Sequence, residues 1–322
     1  METASVKLPE TAKEFWLALA SVEGIGSVRI RYLLERFGTI EKVFEADLLE
    51  ISRLPLFDPL LASKVLKARI GLADLRQHID WYESQGIQII CLQDTAYPEQ
   101  LKPISNAPVV LACRGNPRII QKPTVAIVGS TEPTEEGIRV ALELTTLLVQ
   151  ADYTIASGLA QGVGTTAHLT ALINERPTCA VLGNDLMSIY PPENQRLVEQ
   201  ICQRGAIFSE HIFPAVPSPA NLSVRNRIIS GLSLATIVVE SATNGGAMRT
   251  AAFAREQDRF VCAIDWGNRE HQMAAGTRQL IKSGAVAAPV EGLADFVKAF
   301  TKSDSTPEFQ ATYVQGEQMD LF

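Results

Sequence analysis

Four short runs of glycine and small hydroxyl residues mark where this chain could hold an anion. They are Val128-Gly129-Ser130-Thr131, Ser157-Gly158-Leu159-Ala160-Gln161-Gly162-Val163-Gly164, Leu182-Gly183-Asn184-Asp185 and Glu240-Ser241-Ala242-Thr243-Asn244-Gly245-Gly246-Ala247. Glycine lets backbone N–H groups approach a phosphate closely, and a helix that starts there adds uncapped donors and a positive dipole end. The basic counterpart is Arg225-Asn226-Arg227, read as opening a helix after the proline-rich stretch Pro214–Pro219. Two arginines at a helix start oppose the dipole unless an anion, or a carboxylate such as Glu210 or Glu240, compensates them.

Other chemistries find little support. Gly162-Val163-Gly164-Thr165-Thr166-Ala167 fits the G-x-G-x-x-A dinucleotide pattern, but it follows the second strand of the series and has no well-placed acid about 20 residues on, since Glu175 comes too early. A structural tight turn explains it equally well. The sequence has no Walker lysine loop, no H-E-x-x-H and no G-x-S-x-G, and His168 has no partnering nucleophile. The five cysteines (Cys91, Cys113, Cys179, Cys202, Cys262) show no metal or C-x-x-C spacing, and four of them, among apolar neighbours in strand-like runs, read as buried free thiols. Neither a cofactor nor a metal is expected, and no catalytic residue is assigned.

The elements that must position these runs are legible in the apolar periodicity. Strands are expected at 124–128, 154–156, 178–182, 206–209, 236–240, 260–264 and 285–288. Helices are expected between them at 135–149, 165–174, 194–203, 227–232, 247–257 and 276–282, with a last one at 293–300. This alternation predicts an α/β fold with a doubly wound parallel sheet, in which ligands sit beyond the carboxyl ends of the strands. Residues 1–85 read as a small helical domain of helix-hairpin-helix or SAM-like type, its turn at Gly24-Ile25-Gly26. Such hairpins can offer backbone N–H groups to DNA phosphates, yet this turn carries no Lys or Arg, and a plain packing module fits as well. Residues 86–121 read as a connector whose two strands join the main sheet, 122–300 as the α/β domain, and 301–322 as an acidic disordered tail.

Bulk properties narrow the setting. The 322 residues carry a net charge of −7, which excludes an evenly basic surface but not a local basic patch. No apolar run approaches the roughly 18 residues of a membrane helix, and the N-terminus lacks a secretory pattern, so a cytoplasmic protein is expected.

In order and spacing, these motifs resemble the DprA (Smf) family of DNA-processing proteins. The resemblance is carried by Val125-Ala126-Ile127-Val128-Gly129-Ser130, Ser157-Gly158-Leu159-Ala160-Gln161-Gly162 and Ala180-Val181-Leu182-Gly183 with Tyr190-Pro191 and Asn194. Further blocks are Arg225-Asn226-Arg227-Ile228-Ile229-Ser230-Gly231-Leu232-Ser233, Val238-Val239-Glu240 and Leu280-Ile281-Lys282-Ser283-Gly284-Ala285. It implies an extended Rossmann-like domain, homodimeric and non-enzymatic, that binds single-stranded DNA and loads a RecA-type recombinase on it during recombination or natural transformation. The implied contacts fall on Gly129, Ser130, Gly158, Gln161, Gly162, Arg225, Asn226, Arg227, Asn244, Gly246 and Lys282. Thr131 and Gln161 stand where the family carries arginines and Gly164 where it carries aspartate. Losing two cations removes about two neutralised phosphates, so binding should be weaker and less salt-dependent.

Two other readings of the same motifs stand beside this one. A regulatory partner in a phage-defence module, an antitoxin or a sensor, would use the altered pocket for a nucleotide or a protein. A phosphoribohydrolase on a related scaffold would need a Pro-Gly-Gly-x-Gly-Thr loop, which the sequence lacks. Separately, the terminal Gln318-Met319-Asp320-Leu321-Phe322 looks like the pentapeptide that docks on the DNA polymerase sliding clamp, with Leu321 and Phe322 filling an apolar pocket and Gln318 at its edge.

Overall fold

A computed structural model of the chain describes residues 12–269 and 271–302, so residues 318–322 and most of the expected acidic tail lie outside the described residues. The chain divides into two units: residues 12–97 with Ser105–Ala112, and Pro98–Ile104 with residues 113–302. The expected connector is thus shared between the units.

The first unit holds helices α1 (Lys13–Ala20), α2 (Ser27–Phe37), α3 (Ile40–Glu45), α4 (Leu48–Ser52), α5 (Pro59–Lys67) and α6 (Leu72–Ser84), then strand β1 (Ile87–Cys91) beside β2 (Val110–Gly115), which continues into the second unit from Cys113. Local sequence sets these starts. Asp47 and Glu50 form a reciprocal capping box on α4 (2.8 and 3.0 Å), and Asp58 caps α5 just before Pro59.

The expected hairpin is present, and the structure adds a second one. Gly24 has φ +87° and Leu56 has φ +72°, each one residue before an N–H that bonds three residues back: Ile25 to Val22 at 2.9 Å and Phe57 to Leu54 at 3.2 Å. The Arg29 guanidinium donates to both left-handed residues, to Gly24 O at 2.6 Å and Leu56 O at 3.0 Å, tying the two hairpins together.

In the second unit β3 (Thr124–Val128), α7 (Glu135–Gln150), β4 (Thr154–Gly158), α8 (Val163–Ile173), β5 (Thr178–Leu182), α9 (Gln195–Arg204) and β6 (Ala206–Ser209) alternate regularly. Then follow α10 (Pro219–Gly231), β7 (Ala235–Val238), α11 (Gly246–Glu256), β8 (Phe260–Asp265), α12 (Ala275–Lys282), β9 (Val286–Pro289) and α13 (Leu293–Lys302). These strands lie in the order β6-β5-β4-β3-β7-β8-β9, and every pairing among them is parallel. The strand order reverses between β3 and β7, the switch point at which doubly wound sheets open a crevice. One core joins the sheet residues Val125, Ile127, Ile155 and Ile237 to Leu144, Leu148, Trp266, Phe296 and Phe300. Each such side chain contributes about 1.5–3 kcal/mol by leaving water.

One helix departs from expectation. The helix expected at 227–232 begins eight residues earlier, at Pro219, where the Ser218 side chain accepts from Asn221 N at 3.1 Å. The Ser-Pro pair is a capping signal that the surrounding prolines obscured. Arg225 and Arg227 therefore sit in the body of α10, and the argument from the dipole at a helix start does not apply to them.

At the other side of the switch point, Glu240 is fully buried and its carboxylate accepts from Thr134 N (2.9 Å) and Thr134 Oγ1 (2.6 Å) at the start of α7. Alanine normally favours a helix over glycine by about 1 kcal/mol, but a Cβ on Gly137 would lie 2.2 Å from Glu240 Oε2. G137A is therefore expected to lower stability, by about 1–3 kcal/mol, as read from urea denaturation midpoints.

Candidate functional site

The carboxyl ends of β3, β4, β5 and β7 surround a cavity of about 770 Å³, closed on one side by the first turns of α10 and α11. Gly129, Ser130, Gly158, Gln161, Arg225, Asn226 and Gly246 line it. Gly162, Asn244, Arg227 and Lys282 are not among its lining residues.

Arg225 occupies the floor. Its guanidinium lies on Gly158, where a Cβ would come within 2.7 Å of Nη2, so only glycine admits the ion. Nη1 donates to the Val181 carbonyl, Nε donates to Asn226 Oδ1 at 3.1 Å, and the residue is 8% exposed. Burial lowers its pKa to about 10, so it remains charged at neutral pH. Among the described residues no carboxylate pairs with it. A buried cation that faces a cavity and has no carboxylate partner of its own is stabilised by an anion that enters.

Asn226 completes this arrangement. Its Oδ1 holds Arg225 while its Nδ2 donates to Gly246 O at 3.3 Å, fixing the guanidinium against the start of α11. There, a Cβ at Gly246 would meet nothing within 4 Å; Met248 N bonds Gly245 O at 3.1 Å, and Gly246 and Ala247 line the cavity at the positive end of the helix. The start of α8 is different: Val163 N bonds Ser130 O at 3.1 Å and Thr165 N bonds Ala160 O at 3.1 Å. The G-x-G-x-x-A match is therefore a tight turn, in which Gly162 at φ +76° packs against the Ser130 and Thr131 carbonyls.

Three of the expected contacts find other surroundings. Arg227 forms a two-pronged ion pair with Glu210, at 2.6 and 2.8 Å, and its side chain is 7% exposed. The carboxylate that compensates it is part of the protein. Lys282 is exposed at the end of α12, and Asn244 is exposed in the loop before α11. His168 lies buried beneath the site with Nδ1 2.7 Å from Thr178 Oγ1, and the cavity lining does not include it.

The cavity also brings in residues that were not among the expected contacts. Arg249, on α11, rests with its guanidinium 4.7 Å from the Phe253 ring centre. It is one turn into a helix whose start was legible, so its direction into the cavity could have been read from that spacing. Tyr190 and Glu193 line the opposite wall, carried there because Asn194 Nδ2 donates to Leu159 O (2.9 Å) and Thr165 Oγ1 (3.0 Å). Glu132 lines the cavity too. The charged lining thus consists of two arginines, Arg225 and Arg249, and two glutamates, Glu132 and Glu193.

Among the described residues no group of His, Cys, Asp and Glu could hold a metal ion, and no helix is long and apolar enough to cross a membrane.

Comparison with known proteins gives consistent matches. The family model described as DNA recombination-mediator protein A matches residues 88–301. Protein Smf of Synechocystis is 34% identical over 282 residues, covering 86% of this chain and 70% of that protein. DNA processing protein DprA of Bacillus subtilis is 35% identical over 207 residues, covering 64% of this chain and 69% of the relative. The solved structure of DprA from Streptococcus pneumoniae matches with a TM-score of 0.74 at 30% identity, over 85% of this chain and 94% of that one. DNA processing protein A from Helicobacter pylori, solved for its single-stranded DNA binding mode, matches with a TM-score of 0.60 at 26% identity over 67% of this chain and 97% of that one.

Burial beneath the site has a measurable consequence. His168 is held down at about 4, from 6.5 in an unfolded chain, chiefly by loss of hydration. Between those values the unfolded chain binds a proton that the folded chain refuses. Acidification from pH 6.5 to 4 should therefore remove about 3 kcal/mol of stability, and His168→Gln should flatten this part of a denaturant-midpoint pH profile.

Proposed function

This chain belongs to the DNA recombination-mediator protein A family, and from that premise we propose that it binds single-stranded DNA in the cavity floored by Arg225. The family role is DNA processing in recombination. The observation that carries the finer reading is the buried Arg225 guanidinium, which lines the cavity with no carboxylate partner and is flanked by the start of α11. A phosphodiester supplies the missing negative charge, and the Helicobacter pylori relative, whose structure addresses its single-stranded DNA binding mode, supports that ligand.

On this reading Arg225, with Asn226 orienting it, grips one phosphate, while Gly246 and Arg249 receive a neighbouring one. Gly129, Ser130, Gly158 and Gln161 shape the wall, and Arg227 holds the fold of α10 through Glu210. The protein acts without catalysis, as a homodimer that hands the coated strand to a RecA-type recombinase in recombination or natural transformation. Its terminal residues Gln318-Met319-Asp320-Leu321-Phe322 tether it to the polymerase sliding clamp.

Fluorescence anisotropy with a labelled oligodeoxynucleotide tests the site. Arg225→Ala should weaken binding at least tenfold, the scale of a lost charge-assisted contact of about 1.5–3 kcal/mol. Arg227→Ala should lower thermal stability while leaving the affinity of the folded fraction largely intact. The dependence of log affinity on log salt should have a slope near −1.4, about −0.7 for each of two phosphates. Undiminished binding by the Arg225 variant would place the strand elsewhere. A chain lacking residues 318–322 should lose capture by immobilised clamp and keep its affinity for single-stranded DNA.

A further inference from the structure

The charged lining of the cavity sums to zero, since Glu132 and Glu193 offset Arg225 and Arg249. A phosphate-tracking groove holds a strand by many cations; here the phosphates alone supply little, so a strand that binds needs a second source of attraction. Exposed apolar side chains stand on the segments that border the cavity. Tyr190, a cavity-lining residue, is 47% exposed, Met187 is 44%, Val216 is 78% and Val224 is 49% exposed.

Hydrogen bonds tie together the segments that carry Met187, Val216 and Val224, and Tyr190 follows Met187 in the same loop. The buried Asp185 carboxylate accepts from Met187 N (2.9 Å) and Ser188 N (3.1 Å) with one oxygen, and from Ala215 N (2.9 Å) with the other. That clamps the loop after β5 to the segment before α10. Asn221 Nδ2 then donates to Val216 O at 3.2 Å, linking that segment to the first turn of α10, where Val224 follows one turn later. The rim is thus continuous with the wall formed by Leu222 and Ser223.

Solvent-exposed apolar side chains on an ordered frame cost hydration in the free protein, and unpaired bases offer flat apolar faces with the same need. We propose that the rim from Tyr190 across Met187 and Val216 to Val224 is a base platform, on which nucleobases of single-stranded DNA stack and pack as the strand leaves the Arg225 cavity. This rests on the cavity being the strand's phosphate site. Tyr190 supplies the stacking face, and the three aliphatic side chains supply sequence-tolerant contact.

The test is anisotropy on the full chain with two probes, an oligothymidylate and the same oligomer made of abasic sugars, over a salt series. Tyr190→Ala should weaken oligothymidylate binding on the order of tenfold with the salt slope unchanged, because no phosphate contact is removed. Tyr190→Phe should retain the affinity, and Val216→Ser should lose part of it. The abasic oligomer should bind the unaltered protein more weakly by a factor similar to that lost in Tyr190→Ala, and should not distinguish that variant from the unaltered protein. Equal affinity for the two oligomers, or Tyr190→Ala binding like the unaltered protein while Arg225→Ala does not, overturns the platform and leaves the phosphate site standing. If the unaltered protein binds neither oligomer, the phosphate site falls and the platform with it.

Discussion

The site depends on the guanidinium of Arg225 lying flat on Gly158. Removing such an ion from water costs on the order of several kcal/mol, and its lowered pKa records that cost. Three neighbours offset it in part: the Val181 carbonyl, the Asn226 side chain and the absence of a Cβ at residue 158. Each comes from a different element, β5, α10 and β4, so the guanidinium is held only when the parallel sheet and its covering helix are in register. The same geometry leaves the remaining donors toward the cavity.

Glycine has a different meaning here from the one its motif suggests. The runs at the strand ends invite the idea that backbone amides touch a phosphate directly. A Cβ at Gly129 would strike Val163, one at Gly158 would strike Arg225, and one at Gly183 would strike Leu222. These glycines let helices and a cation approach the sheet, and so shape the cavity that they line. Gly246 alone among those considered at the site borders open space.

The alternation of β-rich runs and amphipathic helices made the parallel sheet legible, with element ends close to those observed, because burial on both faces demands that pattern. What spacing concealed were partnerships across the fold. Arg225 and Arg227 stand two apart in sequence, and nothing local distinguishes the arginine that faces the cavity from the one that meets Glu210. The second hairpin of the first unit was hidden for a related reason. Its left-handed position holds Leu56 instead of glycine, and only the shared donor Arg29 reveals that it repeats the turn at Gly24.

Thr131 and Gln161, where the resemblance implies arginines, take a physical sense from the rest of the lining. With Glu132 and Glu193 present, the cavity attracts anions only locally, through the buried Arg225 and the start of α11, and its long-range field is weak. Such a site gains little from electrostatic steering and discriminates by fit. An anion must be small enough to reach the floor and must carry something that engages the apolar rim. A phosphate joined to an unpaired base meets both conditions, whereas a duplex, with its bases turned inward, meets only the first. On the proposed reading, neutral charge and an exposed apolar rim are therefore one device, which selects single strands by their bases where a more basic pocket would accept any polyanion.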